Sequence, residues 1–147
     1  MGGWLDSIPM FVISGQVKRE TTLWSVPQLS IRQLGDQEFD IINSVSNMTK
    51  YAVMLTDPED IAYHLEKAWY LANEGRKGPV WLDVPLDIQG AKVETDNLRH
   101  FDAKEEHLEP TYKLFTEKDA EELLDKIKSA KAPLIFAGYG VRLSDSS

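Results

Sequence analysis

Apolar residues occur in short blocks separated by polar stretches, and the spacing inside each block predicts its secondary structure. The runs "MFVI" (residues 10–13), "KYAVMLT" (50–56) and "PVWLDVP" (79–85) are short and mostly apolar. Runs of this length and composition, closed by proline or polar residues, are typical of buried strands. We therefore expect at least these strands in the fold.

Helical spacing separates the strands. Residues 38–47 carry one apolar stripe, and residues 57–75 carry a second, longer one. In the longer segment Asp57 can cap the helix, Pro58 suits its first turn and Gly75 provides a stop. The apolar positions that repeat at helical spacing are Ile61, Leu65, Ala68 and Ala72 in this helix and Phe39, Ile41, Ile42 and Val45 in the shorter one.

The order strand, long connection, helix, strand, helix, strand predicts an α/β fold with a parallel sheet flanked by helices. The connection over residues 14–38 leaves the carboxyl end of the first strand, where parallel sheets bind ligands. Loops this long are often binding loops. Gly15 permits close backbone approach and Gln16 offers a donor and an acceptor. A polar surface excursion explains the loop equally well on physical grounds alone.

Beyond Pro85 the pattern changes. Residues 91–115 are polar, acidic and poorly periodic, which predicts a linker after a first domain over 1–90. A capped helix from Thr116 and a strand "PLIFAG" (133–138) then begin a second α/β domain over 116–147. One helix and one strand cannot bury both faces of that strand, so we expect this domain to be truncated. We expect an interior piece of a longer protein; the alternative is a small domain with a decorated C-terminus.

Charge and composition narrow the partners. The chain has 147 residues, a formal net charge of -8 and no cysteine, and a pI near 4.8. Nucleic acids and acidic membranes require a basic surface, so neither is expected as a partner. No apolar run approaches the roughly 20 residues that span a bilayer. We expect a cytoplasmic protein with a small-molecule ligand.

Several longer stretches are distinctive together. They are "WLDSIPMFVISGQV", the Gln37-Glu38 pair within "LGDQEFDIINSVSNMTKYAV", and the pattern "GRxGPVxxDVPxD" over residues 75–87, with Lys77 at its first variable position. On these residues the chain closely resembles the acetolactate synthase-like group of thiamine diphosphate-dependent enzymes. The resemblance covers the second half of the pyrimidine-binding domain, the linker and the start of the central domain.

The resemblance implies an activity that the composition alone does not indicate. Such enzymes hold thiamine diphosphate and Mg²⁺ between two subunits, and they decarboxylate 2-keto acids and ligate the product to a carbonyl. A homo-oligomer and a 2-keto acid substrate are therefore expected, and FAD stays open because some relatives hold a flavin in the central domain. The activating glutamate is expected upstream, so no catalytic residue or metal ligand is assigned here, and the chain alone is expected to be inactive.

Individual positions carry over from the resemblance. Gln37 matches a glutamine that approaches cofactor and substrate, Gly15 and Gln16 match the loop start beside the site, and Lys18 matches a stretch that lines substrate access. Many relatives have proline at Lys18 and "DAFQE" where this chain has "LGDQE", and the insertion "TTLWSVPQLSIRQ" lengthens the loop. This variant looks more like the synthase-like enzymes found with polysaccharide or sugar biosynthesis. Two other hypotheses are a non-catalytic assembly module and a nucleotide-binding (FAD) domain.

Other polar residues are assigned structural roles. Glu38 at the expected helix start favours a dipole or capping role over catalysis. Asp83 and Asp87 are expected to secure the turn and the linker. We read the histidines as solvent-facing rather than as metal ligands, and we expect two tryptophans in core or subunit-interface packing. The histidines are His64, His100 and His107, and the tryptophans are Trp69 and Trp81.

Overall fold

The computed structural model describes residues 1–108 and 115–144. The chain divides into two compact units, Met1–Glu109 and Pro110–Ser147. The division falls inside the segment 91–115 that the sequence predicts to be a linker.

The first unit contains all strands of the described chain. In chain order its elements are α1 (Gly2–Leu5), β1 (Phe11–Gln16), α2 (Ile41–Val45), β2 (Tyr51–Met54), α3 (Ile61–Asn73), β3 (Val80–Pro85) and α4 (Leu86–Gln89). The described part of the second unit contains α5 (Glu117–Ser129) and α6 (Gly140–Leu143).

The three strands form a parallel sheet in the order β1-β3-β2. The strand latest in sequence therefore lies in the middle, and the run "VWLDVP" is apolar because both of its faces are covered. In the register of the sheet, Ser14 and Met54 lie on either side of Asp83. The predicted α/β fold with a parallel sheet is confirmed.

The core lies between this sheet and α3. Ala68 and Ala72 of α3 are buried, and as small side chains they allow the helix to approach the sheet closely. Leu65, predicted on the same stripe, is partly exposed. The buried cluster consists of Leu55, Ala68, Ala72, Val80, Leu82 and Ile88.

The predicted local signals lie close to both ends of α3, although the N-cap of the helix is Asp60 and not Asp57. Asp57 Oδ1 accepts a hydrogen bond from the Glu59 N–H at 3.0 Å, which caps the 3₁₀ turn Pro58–Asp60 leading into the helix. Beyond the helix, Gly75 has φ of 57°, a conformation that glycine adopts without steric cost.

The shorter helix begins later than residue 38. Asp40 is its N-cap and accepts from the Asn43 N–H at 3.0 Å, so α2 covers only Ile41–Val45. The capping role predicted for Glu38 is wrong, because its carboxylate binds N–H groups of the preceding loop instead.

In the second unit, the helix cap is as predicted and the strand is not. Thr116 and Asp119 form a reciprocal capping box at the start of α5. Residues 133–138 form neither helix nor strand, and Leu134, Ile135 and Phe136 are exposed. A strand is stable only beside a hydrogen-bonded partner, and the described part of this unit supplies none.

His64 is not solvent-facing, which corrects the expectation from its position on α3. Its ring is half-buried, lies against Tyr63, and its Nδ1 is 2.6 Å from the Tyr51 hydroxyl. Burial lowers the pKa of His64, and burial raises the pKa of Tyr51 to about 12. The helical period alone did not reveal that residues 98–108 and β2 would cover this side of α3.

The other histidines and tryptophans also have definite places. His100 is exposed and its Nδ1 lies 2.7 Å from Glu66 Oε1, and His107 is exposed. Trp81 is half-buried and donates to Ser14, whereas Trp69 is 68% exposed and is therefore not part of the core of this unit. Packing of Trp69 in a subunit interface stays a prediction.

No helix in residues 1–108 or 115–144 combines the length and apolar character needed to cross a bilayer.

Candidate functional site

A cleft of about 440 Å³ lies at the carboxyl ends of the strands. Gln16 ends β1, Thr56 follows β2, and Asp83 lies near the end of β3. The long loop and α2 form the other walls. The lining residues are Gln16, Thr22, Leu23, Trp24, Glu38, Phe39, Asp40, Ile41, Ile42, Asn43, Ala52, Val53, Met54, Thr56 and Asp83. This is the edge at which parallel sheets bind ligands.

A row of hydrogen bonds centred on Asp83 organises the floor of the cleft. Trp81 Nε1 donates to Ser14 Oγ at 2.8 Å, and Ser14 Oγ donates to Asp83 Oδ1 at 2.6 Å. Gln16 Nε2 donates to Asp83 Oδ2 at 2.9 Å and to the Phe39 carbonyl at 2.8 Å. Asp83 is only 1% exposed, so these bonds replace the water that its carboxylate has lost. Asp83 is therefore structural, as predicted: it holds the end of β1 directly, and it holds the loop through Gln16.

The long loop has a defined fold of its own. It contains the 3₁₀ turns Arg19–Thr21 and Leu23–Ser25. Glu38 joins its two halves, because Oε1 accepts from the Leu23 N–H at 2.6 Å and Oε2 from the Leu34 N–H at 2.7 Å.

A close backbone contact also holds the loop together. A Cβ at Gly35 would lie 2.8 Å from the Thr21 carbonyl oxygen, so only glycine fits here without a shift.

Arg19 fixes the start of the loop. Its backbone N–H donates to Asp87 Oδ1 at 3.0 Å, its Nε donates to Asp87 Oδ2 at 2.6 Å, and its Nη1 donates to the Thr56 carbonyl. Burial favours a raised pKa for Asp87, but the hydrogen bonds from Arg19 outweigh it and hold that pKa below its usual range. Asp87 is structural, as expected, but it secures the start of the long loop and not the linker.

The predicted site residues differ in their placement. Gln16 lines the cleft, with its carboxamide bound to groups of the chain itself. Gln37 is exposed in the turn before Glu38 and is not among the lining residues. Lys18 is exposed, and its Nζ lies 4.0 Å from Glu20 Oε1. A Cβ at Gly15 would lie 3.2 Å from Gln89 Nε2, so Gly15 makes room for a side chain of the same unit.

Sequence reasoning missed two aromatic residues of the cleft. Trp24 is 55% exposed, and Phe39 also remains largely open to solvent. Trp24 belongs to the insertion that lengthens the loop, and this was the available signal. The sequence pattern predicts Phe39 in an apolar helical stripe, but α2 begins after it.

The electrostatic character of the cleft limits its ligand. Glu38, Asp40 and Asp83 line it, and the described lining contains no lysine or arginine. Phosphate groups in proteins are bound by cations or by free N–H groups. The lining therefore offers acceptors to a group that donates hydrogen bonds, and it contains no cationic side chain for a phosphate.

The fold of the chain is similar to that of a solved protein structure. No protein-family model matches the chain. The crystal structure of benzoylformate decarboxylase from Polynucleobacter necessarius is similar, with a TM-score of 0.71 and 21% identity, over 98% of this chain and 24% of that one. The fold of this chain is therefore that of a segment of that decarboxylase.

Sequence relatives are more specific. The acetolactate synthase large subunit of Lactococcus lactis is 32% identical over 97% of this chain and 23% of its own length. The corresponding subunit of Corynebacterium glutamicum is 32% identical over 97% of this chain and 21% of its own length. The isozyme 1 large subunit of Escherichia coli is 31% identical over 93% and 22%.

The chain therefore belongs to the acetolactate synthase-like group, as its motifs predicted. It spans less than a quarter of the length of these curated relatives.

Proposed function

We propose that this chain forms the cofactor-facing part of a thiamine diphosphate-dependent, acetolactate synthase-like enzyme that acts on 2-keto acids. The observation that carries the proposal is the cleft at the carboxyl edge of the sheet, within a chain homologous to acetolactate synthase large subunits. This homology favours an enzyme over an assembly module or a nucleotide-binding domain.

The residues of the cleft would hold the aminopyrimidine end of the cofactor. Trp24 and Phe39 offer aromatic faces, and the carboxylates of Glu38 and Asp40 offer acceptors for an amino group. When bound, thiamine diphosphate supplies the electron sink for decarboxylation of a 2-keto acid and transfer of the remaining group to a carbonyl. The role of this chain is to orient that end of the cofactor and to exclude water around it.

The diphosphate and its Mg²⁺ require positive charge and metal ligands. No group of three or more histidine, aspartate and glutamate side chains converges as a metal site in residues 1–108 or 115–144. We assign these parts of the cofactor to another subunit, and we therefore propose that the active enzyme is a homo-oligomer. We also place the enzyme in the cytoplasm. FAD stays a prediction that a flavin titration tests.

Gln37 and Lys18 are proposed to act on the substrate side. The exposed Gln37 carboxamide precedes the cleft residue Glu38, and it can donate to a carbonyl oxygen without adding a charge. Lys18 carries a positive charge after β1, suited to attracting an anionic 2-keto acid. Gly15 and Gln16 form the strand end beside them.

Tryptophan indole resonances test the binding proposal. We expect thiamine diphosphate with Mg²⁺ to shift the Trp24 indole N–H resonance and to leave that of Trp69, on α3, unchanged. Thiamine without phosphates should bind with similar affinity, because the cleft lining contains no lysine or arginine to bind the phosphates. If neither compound shifts the Trp24 indole N–H resonance at millimolar concentration, the assignment of the cleft as a cofactor-binding site is contradicted.

Activity is tested on the longer reading frame. We expect the flanking sequence to encode the activating glutamate and the diphosphate-binding domain, and the longer protein to release carbon dioxide from pyruvate only with thiamine diphosphate and Mg²⁺. A reading frame that lacks both elements would refute the proposed enzyme.

A further inference from the structure

Arg19 joins the carboxyl ends of all three strands of the sheet. It follows β1 in sequence, it binds Asp87 just after β3 through its backbone N–H and Nε, and its Nη1 binds the Thr56 carbonyl just after β2. Side chains of both Arg19 and Asp87 are largely shielded from solvent. The planar guanidinium can donate in two directions at once, which a single ammonium group does less well.

A second carboxylate fixes the other end of the loop. Gln16 Nε2 donates both to Asp83 and to the Phe39 carbonyl, where the loop returns to α2. Asp83 and Asp87, both from the motif "LDVPLD", therefore hold the two ends of the same loop.

The loop held in this way supplies one wall of the cleft. Trp24, Glu38 and Phe39 line the cleft from the loop, whereas Arg19 is not among the lining residues. The position of that wall relative to the strands depends on the contacts at the loop ends.

We propose that Arg19 is a positioning residue, whose simultaneous bonds to Asp87 and Thr56 hold the loop wall of the cleft over the strand ends. It acts on a bound ligand through the loop and not by contact. The identity of the ligand rests on the proposed function, but the position of the loop does not.

Hydrogen–deuterium exchange on the 147-residue chain tests the loop directly. Arg19→Gln removes the bonds of the guanidinium to Asp87 and Thr56. Because hydrogen bonds to a charged group are lost and the loop is released, we expect the amides of Leu23 and Leu34 to exchange about 10- to 100-fold faster. Exchange in α3 should not change. Arg32→Gln, the same chemical change at an exposed position of the same loop, should match the wild type.

Conservative substitution separates positioning from simple charge. Arg19→Lys keeps the charge but loses the planar fork, so it should restore little of the protection. Full rescue by lysine, exchange in Arg19→Gln equal to that in Arg32→Gln, or faster exchange spreading into α3 would each overturn the proposal.

A ligand titration completes the test. If the cleft binds thiamine diphosphate with Mg²⁺, Arg19→Gln should weaken the Trp24 indole response at least about tenfold, and Arg32→Gln should not. Equal affinity of both variants would overturn the positioning role. Absence of binding to the wild type would count against the proposed function, and the exchange result then decides the role of Arg19.

Discussion

Residues 98–108 are held to α3 by a cluster that we call the linker clamp, formed by Tyr63, Lys67 and Glu106. Lys67 Nζ donates to Glu106 Oε2 at 2.6 Å and to the Tyr63 hydroxyl at 2.8 Å, and that hydroxyl donates to Glu106. The side chains of Lys67 and Glu106 are 19% and 25% exposed. We predict that Glu106→Gln releases this segment while leaving the sheet folded.

The magnitude follows from the contacts. Hydrogen bonds to charged groups contribute about 1.5–3 kcal/mol each, whereas fully exposed ion pairs contribute about 0.2–1 kcal/mol. Because the side chains of the clamp are mostly shielded from solvent, we expect the loss to lie in the lower part of the first range, at about 2 kcal/mol. That corresponds to roughly a 30-fold increase in local opening.

The pH dependence of the clamp has a definite sign. Hydrogen bonds from Lys67 and Tyr63 lower the pKa of Glu106 below its usual 4.5, so its contribution is full above 4.5 and is lost as pH falls through the lowered value. Burial disfavours the charged Lys67, but bonds to Glu106 and Tyr63 raise its pKa above 10.5. Its contribution is full below 10.5 and is lost as pH rises through the raised value.

Hydrogen–deuterium exchange of residues 98–108 measures the release. Glu105→Gln, the same change at the neighbouring exposed position, is the matched control. A double-mutant cycle with Lys67→Met should give a coupling energy of about 1–2 kcal/mol. Indistinguishable exchange in Glu106→Gln and Glu105→Gln, or a coupling near zero, would refute the reasoning.

Three further substitutions test the loop and the core. Glu38→Ala should speed exchange of the Leu23 and Leu34 N–H groups, which donate to its carboxylate, about tenfold or more. Glu20→Ala should not; equal effects would count against Glu38 as the residue that joins the two halves of the loop. Leu82→Ala, at a fully buried position, should lower the free energy of unfolding in urea by about 2–5 kcal/mol, and a loss below 1 kcal/mol would contradict the packing. Gly35→Ala places a Cβ 2.8 Å from the Thr21 carbonyl oxygen and should cost about 1–3 kcal/mol of loop stability, visible as faster loop exchange; unchanged exchange would exclude this close approach.

The sequence by itself determined the elements whose signals are local. Asp57, Pro58 and Gly75 lie within or next to the helix they delimit, and the alternation of strands and helices is enough to predict a parallel sheet. The motifs that identified the family are local in the same sense, because each is a run of consecutive residues. Such features depend on neighbours a few positions away, which a pattern can report.

The tertiary structure alone decided how the polar residues meet. Gln16 and Asp83 are 67 positions apart, and Arg19 and Asp87 are 68 apart. They meet because β3 lies beside β1 in one register, and no periodicity encodes that register. For the same reason Glu38 bridges the loop instead of capping a helix.

Residues 133–138 show that a local pattern can also predict an element that the structure does not form. They carry a strand-forming sequence and yet form no strand. A β-strand is stabilised by hydrogen bonds to a neighbouring strand, so its formation depends on a partner that its own sequence cannot supply.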